Sequence, residues 1–310
     1  MGIINEYPGH KISALTFVPT PLQESIIVTG TCDQGSDNRI QVWMKLDNEL
    51  ELLHEDLFIG DVHAITFIQD SLVAATSSKG TLFVYHLNNH QLDQVSESLV
   101  SKGPANDIVF NHGSKDMIAV GEDGSLSLVN LSRLSDNPVR KSISSTPLTC
   151  IECLDENKVM VGNTAGHIKL VDLRSGKTES SFPNNLNSLT VIRQNPGSHH
   201  FIMAGYQTGN IALWDLRNKN PLPLEMSTHD ASVTGMQFLD GDGVMVTSSL
   251  DGHLLQWTLD PSCMVSKVDP LIRPISIDGP AISCFHYRRG VNNEIAFAND
   301  REVLSVYSYQ

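Results

Sequence analysis

A short turn ending in glycine and followed by alternating apolar residues recurs along this chain. It reads SKGTLFVYHL from Ser78, EDGSLSLVNL from Glu122, TAGHIKLVDL from Thr164, QTGNIALWDL from Gln207 and LDGHLLQWTL from Leu250. The glycines, Gly80, Gly124, Gly166, Gly209 and Gly252, follow one another at intervals of 44, 42, 43 and 43 residues. Self-similarity at such a period signals repeated supersecondary units, each too small to bury its own apolar faces and so obliged to stack on its neighbours. Two weaker copies bring the count to seven: SDNRIQVWMK from Ser36, with Asn38 and Arg39 where glycine would stand, and NDREVLSVYSYQ from Asn299. Each copy also carries an earlier strand pair, such as SVTGMQF then VMVTSSL ahead of Gly252, so three or four strands recur per unit.

Repeats of this length and strand content imply an all-β fold, a seven-bladed β-propeller formed as a single domain by residues 1–310. The last copy ends at its third strand, whereas Ile3 to Tyr7 (IINEY) precede the first strand of the first copy. That segment is expected to supply the outer strand of the last blade and to cap an edge that would otherwise invite aggregation.

Composition agrees with a packed chain: 40% of residues are hydrophobic and 18% charged, too apolar and too weakly charged for disorder. No stretch reaches the roughly 18 uninterrupted apolar residues of a membrane span, and MGIINEYPGHK lacks a basic region followed by an apolar run. Direct membrane insertion and secretion are therefore not expected. Five scattered cysteines, Cys32, Cys150, Cys153, Cys263 and Cys284, read as reduced thiols. With 21 Lys and Arg against 35 Asp and Glu, the net charge of -14 repels phosphate backbones, which argues against direct nucleic-acid binding.

Specific residues resemble the WD-repeat family: WDLR at Trp214 to Arg217, VDLRSG at Val171 to Gly176, and SSLDGHLLQW ending at Trp257. In that family a His, a Ser or Thr, an Asp and a Trp hydrogen-bond within a blade, and the sixth copy offers His229, Thr247, Asp251 and Trp257. Other copies break the set, with Val129 for Trp in the third and Thr208 for Asp in the fifth. Apolar packing must then hold those blades. Within the family, the chain is similar to the small all-propeller nucleoporins of the Y-shaped nuclear pore scaffold complex. The similar segments are KIS (Lys11 to Ser13), TG followed by an acidic loop and NRIQVW (Thr29 to Trp43), VGEDGSLSL (Val120 to Leu128), HIKLVDLR (His167 to Arg174), HDASVTGMQF (His229 to Phe238), SSLDGHLLQW and DGPAISC (Asp278 to Cys284). The connection from Trp257 to Gly279 is short by that comparison. The resemblance implies a peripheral scaffold subunit bound to other Y-complex nucleoporins at the nuclear envelope, supporting protein and mRNA transport, with a kinetochore role in mitosis.

Reactive chemistry finds no home in the pattern. GxSxG, HExxH and GxxxxGK[ST] are all absent, so neither a catalytic residue, a cofactor nor a small-molecule substrate is expected. Cys150 and Cys153 have the spacing of half a zinc site, but no second pair accompanies them and they sit in an apparent strand, LTCIECL. His199 and His200 read as a hairpin loop. The acidic turn residues Asp33, Asp37, Glu122, Asp123, Asp240, Asp242 and Asp251 are spread over different repeats, none with calcium-loop spacing. Metal binding is not expected. Asn130-Leu131-Ser132 fits a glycosylation sequon in a chain not expected to be secreted. Trp43, Trp214 and Trp257 should lie within the blade stack. Partner contacts are sought among apolar residues of likely loops: Phe58, Ile59, Leu222, Leu224, Leu271 and Ile272. Burial in outer strands is the competing reading for these residues, and the favoured one for Phe58. Arg174 and Arg217 close VDLR and WDLR, which resembles the motif by which some propellers dock onto a cullin-type ubiquitin ligase as substrate receptors. The competing reading is that these arginines cover turn surface.

Overall fold

Alternating apolar side chains interrupted by tight turns put almost the whole chain into β-hairpins. A computed structural model describes residues 3–19, 24–33, 37–183, 187–217, 223–240, 243–259, 271–276, 279–289 and 293–309. Among these the strands form seven four-stranded sheets, and the fold is an all-β, seven-bladed propeller. The N-terminal strand is β1 (Ile3–Glu6). The first sheet holds β2 (Ile12–Val18), β3 (Ser25–Thr31), β4 (Asn38–Lys45) and β5 (Leu50–Phe58). The second holds β6 (Val62–Phe67), β7 (Leu72–Ser77), β8 (Thr81–Asn88) and β9 (Gln91–Leu99). The third holds β10 (Ala105–Asn111), β11 (Asp116–Gly121), β12 (Ser125–Asn130) and β13 (Val139–Ser142). Next come β14 (Leu148–Cys153), β15 (Lys158–Asn163), β16 (Ile168–Asp172) and β17 (Lys177–Phe182). The fifth sheet contains β18 (Leu189–Gln194), β19 (Phe201–Tyr206), β20 (Asn210–Asp215) and β21 (Leu224–Ser227). The sixth contains β22 (Val233–Asp240), β23 (Val244–Ser249), β24 (Leu254–Thr258) and β25 (Leu271–Ser276). In the seventh, β26 (Ile282–Arg288), β27 (Asn293–Asn299) and β28 (Val303–Tyr309) are joined by β1.

Burial explains why these sheets require neighbours. Second strands are covered on both faces, every residue of β3 and β19 being buried, whereas outer strands such as β17 are largely exposed. The recurrent turn glycine sits between second and third strands for two reasons. Gly80 and Gly252 adopt φ of +80° and +84°, a region costly for other residues. A Cβ on Gly252 would also fall 2.1 Å from the Gly279 carbonyl oxygen.

The chain divides into two compact units, residues 149–282 and the remainder. In the larger unit, apolar clusters join the first sheet to the second through Val28, Ile40, Phe58 and Phe83, and the second to the third through Leu82, Ala105 and Met117. Ile12, Phe17, Ile27 and Trp43 of the first sheet pack on Ala296, Leu304 and Val306 of the seventh. In the smaller unit, Ile168 and Phe182 pack on Leu189 and Trp214, and Val191, Met203 and Ile211 on Val233, Met245 and Trp257.

Polar bonds fix the spacing of these apolar faces. The second residue of an inner strand donates to a main-chain carbonyl at the start of another inner strand, each pair lying within one unit. Ser13 Oγ reaches the Val62 carbonyl at 2.5 Å, Asn106 Nδ2 that of Leu148 at 2.7 Å, and Ser283 Oγ that of Ile12 at 2.6 Å. In the smaller unit Thr234 Oγ1 reaches the Ile282 carbonyl at 2.9 Å. Approach is close enough to exclude a side chain on the second strand: a Cβ on Gly30 would lie 2.4 Å from Val62 Cγ1, and one on Gly205 2.8 Å from Val233 Cγ1.

Where the first and seventh sheets meet, Glu294 is buried and receives three donors. Ser25 Oγ lies at 2.5 Å, Lys45 Nζ at 2.6 Å and Arg288 Nη2 at 2.8 Å. Removing one partner from a buried ion pair costs about 3–5 kcal/mol, so the cluster specifies this contact strongly. The N-terminal segment completes the seventh sheet as the sequence suggested. Its β1 pairs antiparallel with β28, Ile3 opposite Tyr307 and Glu6 opposite Leu304, and Ser305 Oγ donates to Asn5 Oδ1 at 2.7 Å. Deleting residues 1–8 should expose the β28 edge and lower the melting temperature by at least about 5 °C in calorimetry. An unchanged melting temperature would contradict the role given to β1.

Candidate functional site

The sixth sheet carries the best-formed polar network. Thr247 on β23 stands two residues beyond Met245, which is opposite Trp257 on β24, so the indole and the hydroxyl share one face. Trp257 Nε1 donates to Thr247 Oγ1 at 2.9 Å, and that hydroxyl meets His229 Nε2 at 2.9 Å. His229 Nδ1 faces Asp251 Oδ2 at 3.0 Å. An indole N–H can only donate, so Thr247 accepts from it and turns its own hydrogen to Nε2. The ring proton then sits on Nδ1 and is donated to Asp251. Burial holds the His229 pKa below its ordinary value, keeping the ring neutral even beside that carboxylate. Burial alone would raise Asp251, but the amides of His253 and Asp230 together with the His229 ring hold its carboxyl below the usual range.

His253 Nδ1 lies 3.5 Å from Asp251 Oδ2, so His229, Asp251 and His253 form the one group among the described residues with metal-ligand proximity. A cation there would have to displace the proton on His229 Nδ1 and compete with the two amides for Asp251. What the cluster does in this geometry is tie the segment before β22 to the β23–β24 turn.

Comparison among sheets shows which parts of the network survive. In the first sheet Trp43 Nε1 donates to Thr29 Oγ1 at 3.0 Å. There His10 Nδ1 meets Asp33 Oδ2 at 2.7 Å while the Lys11 amide donates to Asp33 Oδ1 at 2.9 Å, a second His–Asp tie that sequence reading missed. Its signal was His10 ahead of the inner strand and Asp33 just after Thr29-Gly30. In the fifth sheet Trp214 is buried but its Nε1 has no acceptor among the described residues, because Ala204 occupies the place of Thr29 and Thr247. In the third sheet Asp123 instead accepts from the Lys102 amide at 3.0 Å and from Ser125, with Arg140 beside it.

The other singled-out residues are dispersed. Cys150 is buried against Leu189, and burial with Glu152 and Asp155 nearby pushes the Cys153 thiol up to about 12, away from the thiolate that zinc requires. Cys263 and Asp242 lie outside the described residues. His199 and His200 occupy the β18–β19 turn, His200 against Phe201. Arg217 is engaged within its own turn: Nε and Nη2 bind Asp215 at 2.9 and 2.7 Å, and the guanidinium stands 5.3 Å over the Phe201 ring. Both arginine side chains are exposed, Arg217 at 59% and Arg174 at 75%, the latter with Nη2 3.9 Å from Asp172. Phe58 is buried edge-on to Phe83, whereas Ile59 beside it is exposed. Leu224 and Ile272 pack partly on the cluster around Trp257, Leu271 is exposed, and Leu222 lies outside the described residues. Phe58 and Ile59 belong to one unit and the described others to the second.

The empty acceptor position in the fifth sheet makes a sharp test. Ala204→Ser should supply a partner to Trp214 Nε1 and stabilise by about 1 kcal/mol in denaturant unfolding. Ala204→Val adds bulk without an acceptor and should not; equal behaviour of the two would contradict the assignment.

Comparison with known proteins places this architecture. Residues 222–258, which contain the complete network, match the WD domain, G-beta repeat family. The chain is 25% identical to human nucleoporin Nup43, over 82% of this chain and 75% of that protein, and equally to mouse nucleoporin Nup43. It is 24% identical to human WD repeat-containing protein 36 over 74% of this chain but only 26% of that one.

Proposed function

We propose that this WD-repeat β-propeller works as a non-catalytic protein-interaction scaffold and, more narrowly, as a nucleoporin of the nuclear pore Y-complex. One observation carries the narrower reading: the similarity to nucleoporin Nup43 runs through 82% of this chain and 75% of the relative, so it embraces the repeats together rather than one motif. The site geometry supports the scaffold role. The polar cluster most like a reactive centre has its donors and acceptors spent on joining strands to turns.

In this reading residues 1–310 act as one seven-bladed domain, with loops and outer strands available to other Y-complex nucleoporins. Transport of protein and mRNA is supported through the assembly, not by chemistry in this chain. The kinetochore role has no support in the comparisons. Docking to a ubiquitin-ligase adaptor through the VDLR and WDLR arginines, Arg174 and Arg217, is less favoured, since the similarity to nucleoporin Nup43 spans most of the chain and the Arg217 guanidinium is engaged by Asp215 and Phe201.

Affinity purification of the tagged endogenous protein, with imaging, tests the proposal. A rim at the nuclear envelope and co-purifying pore subunits are expected. Diffuse location without pore subunits, or recovery of a ligase adaptor that is lost in Arg217→Ala, would overturn it.

A further inference from the structure

We propose that the cleft between β5 and β9, the outer strands of the first and second sheets, receives the guanidinium of an arginine on a partner protein and holds it with Asp56, Glu97 and the Tyr85 hydroxyl. This deepens the scaffold reading and rests on it only for the existence of a protein partner.

Strand register turns the three groups toward one cleft. Asp56 on β5 stands opposite Ile40 of β4, and Ile40 packs with Val73, Phe83 and Tyr85 of the second sheet, so Asp56 lies on the face turned to that sheet. Glu97 on β9 stands opposite Phe83 of β8. Phe83 meets Phe58 of β5 edge-on, with ring centroids 5.0 Å apart, so Glu97 lies on the face turned to the first sheet. β9 bulges at Val95, but Glu97 lies beyond the bulge and keeps its pairing. Both carboxylates are exposed, whereas Tyr85 is only 4% exposed. Burial, with the charges of Asp56 and Glu97 adding to it, pushes the Tyr85 pKa up, so the hydroxyl stays protonated and feels both carboxylates.

Each group keeps an unused acceptor. Asp56 Oδ2 meets His54 Nε2 at 2.9 Å and Glu97 Oε2 accepts from Gln94 Nε2 at 3.4 Å, which leaves Asp56 Oδ1 and Glu97 Oε1 without a hydrogen bond among the described residues. No Lys or Arg ion pair reaches either carboxylate among those residues. The Tyr85 hydroxyl likewise has no hydrogen-bond partner among them, although a buried tyrosine normally finds one.

Geometry selects the occupant. Exposed carboxylates alone hold a cation weakly, so the hydroxyl between them matters as a third, less hydrated acceptor. A metal ion needs its ligand atoms drawn around one point, and among the described residues only His229, Asp251 and His253 are so drawn; His54, Asp56 and Glu97 are not. A guanidinium presents five donors in a planar fork, enough to span two carboxylates and reach a hydroxyl, whereas an ammonium is a compact point charge.

The test uses the full chain, amide-labelled for NMR, and a short capped peptide with one arginine among glycine and serine. Titration should move the amide signals of β5 and β9 saturably. The same peptide with citrulline, which keeps the shape and loses the charge, should not move them, and a lysine version should bind at least about threefold more weakly. Asp56→Asn and Glu97→Gln should each weaken binding at least about fivefold and leave the melting temperature unchanged, both positions being exposed. Tyr85→Phe should also weaken binding with no loss of melting temperature, because the hydroxyl makes no internal bond to lose. No saturable shift, equal binding of the citrulline peptide, full binding by the carboxylate variants or by Tyr85→Phe, a lowered melting temperature in Tyr85→Phe, or the same shifts produced by calcium or zinc chloride alone would each overturn the inference. Such a failure removes the arginine site only, since co-purification of pore subunits by the parent chain measures the scaffold role independently.

Discussion

A four-stranded sheet with apolar residues on both faces cannot stand in water, and the structure follows from that obligation. Each fully buried aliphatic or aromatic side chain contributes about 1.5–3 kcal/mol relative to exposure. Second strands such as β3 and β19, buried throughout, can exist only between covered faces. What apolar burial does not specify is spacing. That comes from directional bonds: Ser13, Asn106, Thr234 and Ser283 each donate to a carbonyl at the head of another inner strand. Glycines at positions such as Gly30 and Gly205 remove the side chain that would hold the faces apart.

The polar network around Trp257 acts at a second level. It orders the turn that begins the next hairpin and supplies no exposed nucleophile, base or free ligand. The network is not required in every sheet, because apolar packing covers the strands where it is incomplete. Trp214 stays buried with an unpaired indole N–H, and the third sheet replaces the network by Asp123 and Arg140. The outer strands and loops lie outside this packing, as the largely exposed β17 does.

Much of this was legible in the residues. The glycine period marked the turns between second and third strands, since a positive φ and a carbonyl in van der Waals range leave no alternative at Gly80 or Gly252. The pairing of Ile3–Glu6 with β28 was legible because a three-stranded last copy and an orphan N-terminal strand complete each other. His229, Thr247, Asp251 and Trp257 were chosen through a family resemblance, and their distances are those of hydrogen bonds. Other features were not legible. Ser13 and Ser283 look like ordinary strand residues, and only the three-dimensional approach of another strand gives their hydroxyls a role. Glu294 gave no hint of burial, because its partners Ser25 and Lys45 lie far away in sequence. Arg217 looked available, and only the structure reveals its hold on Asp215 and Phe201.

The bond from Ser283 to Ile12 tests the central claim most directly, since it joins the seventh sheet to the first and its acceptor residue is only 1% exposed. Denaturant unfolding of Ser283→Ala should show a loss of about 1–3 kcal/mol, the cost of leaving a buried carbonyl unpaired, while Ser283→Thr keeps the hydroxyl and most of the stability. If Ser283→Ala unfolds at the same denaturant concentration as the parent, directional bonds between inner strands do not set the spacing of the sheets.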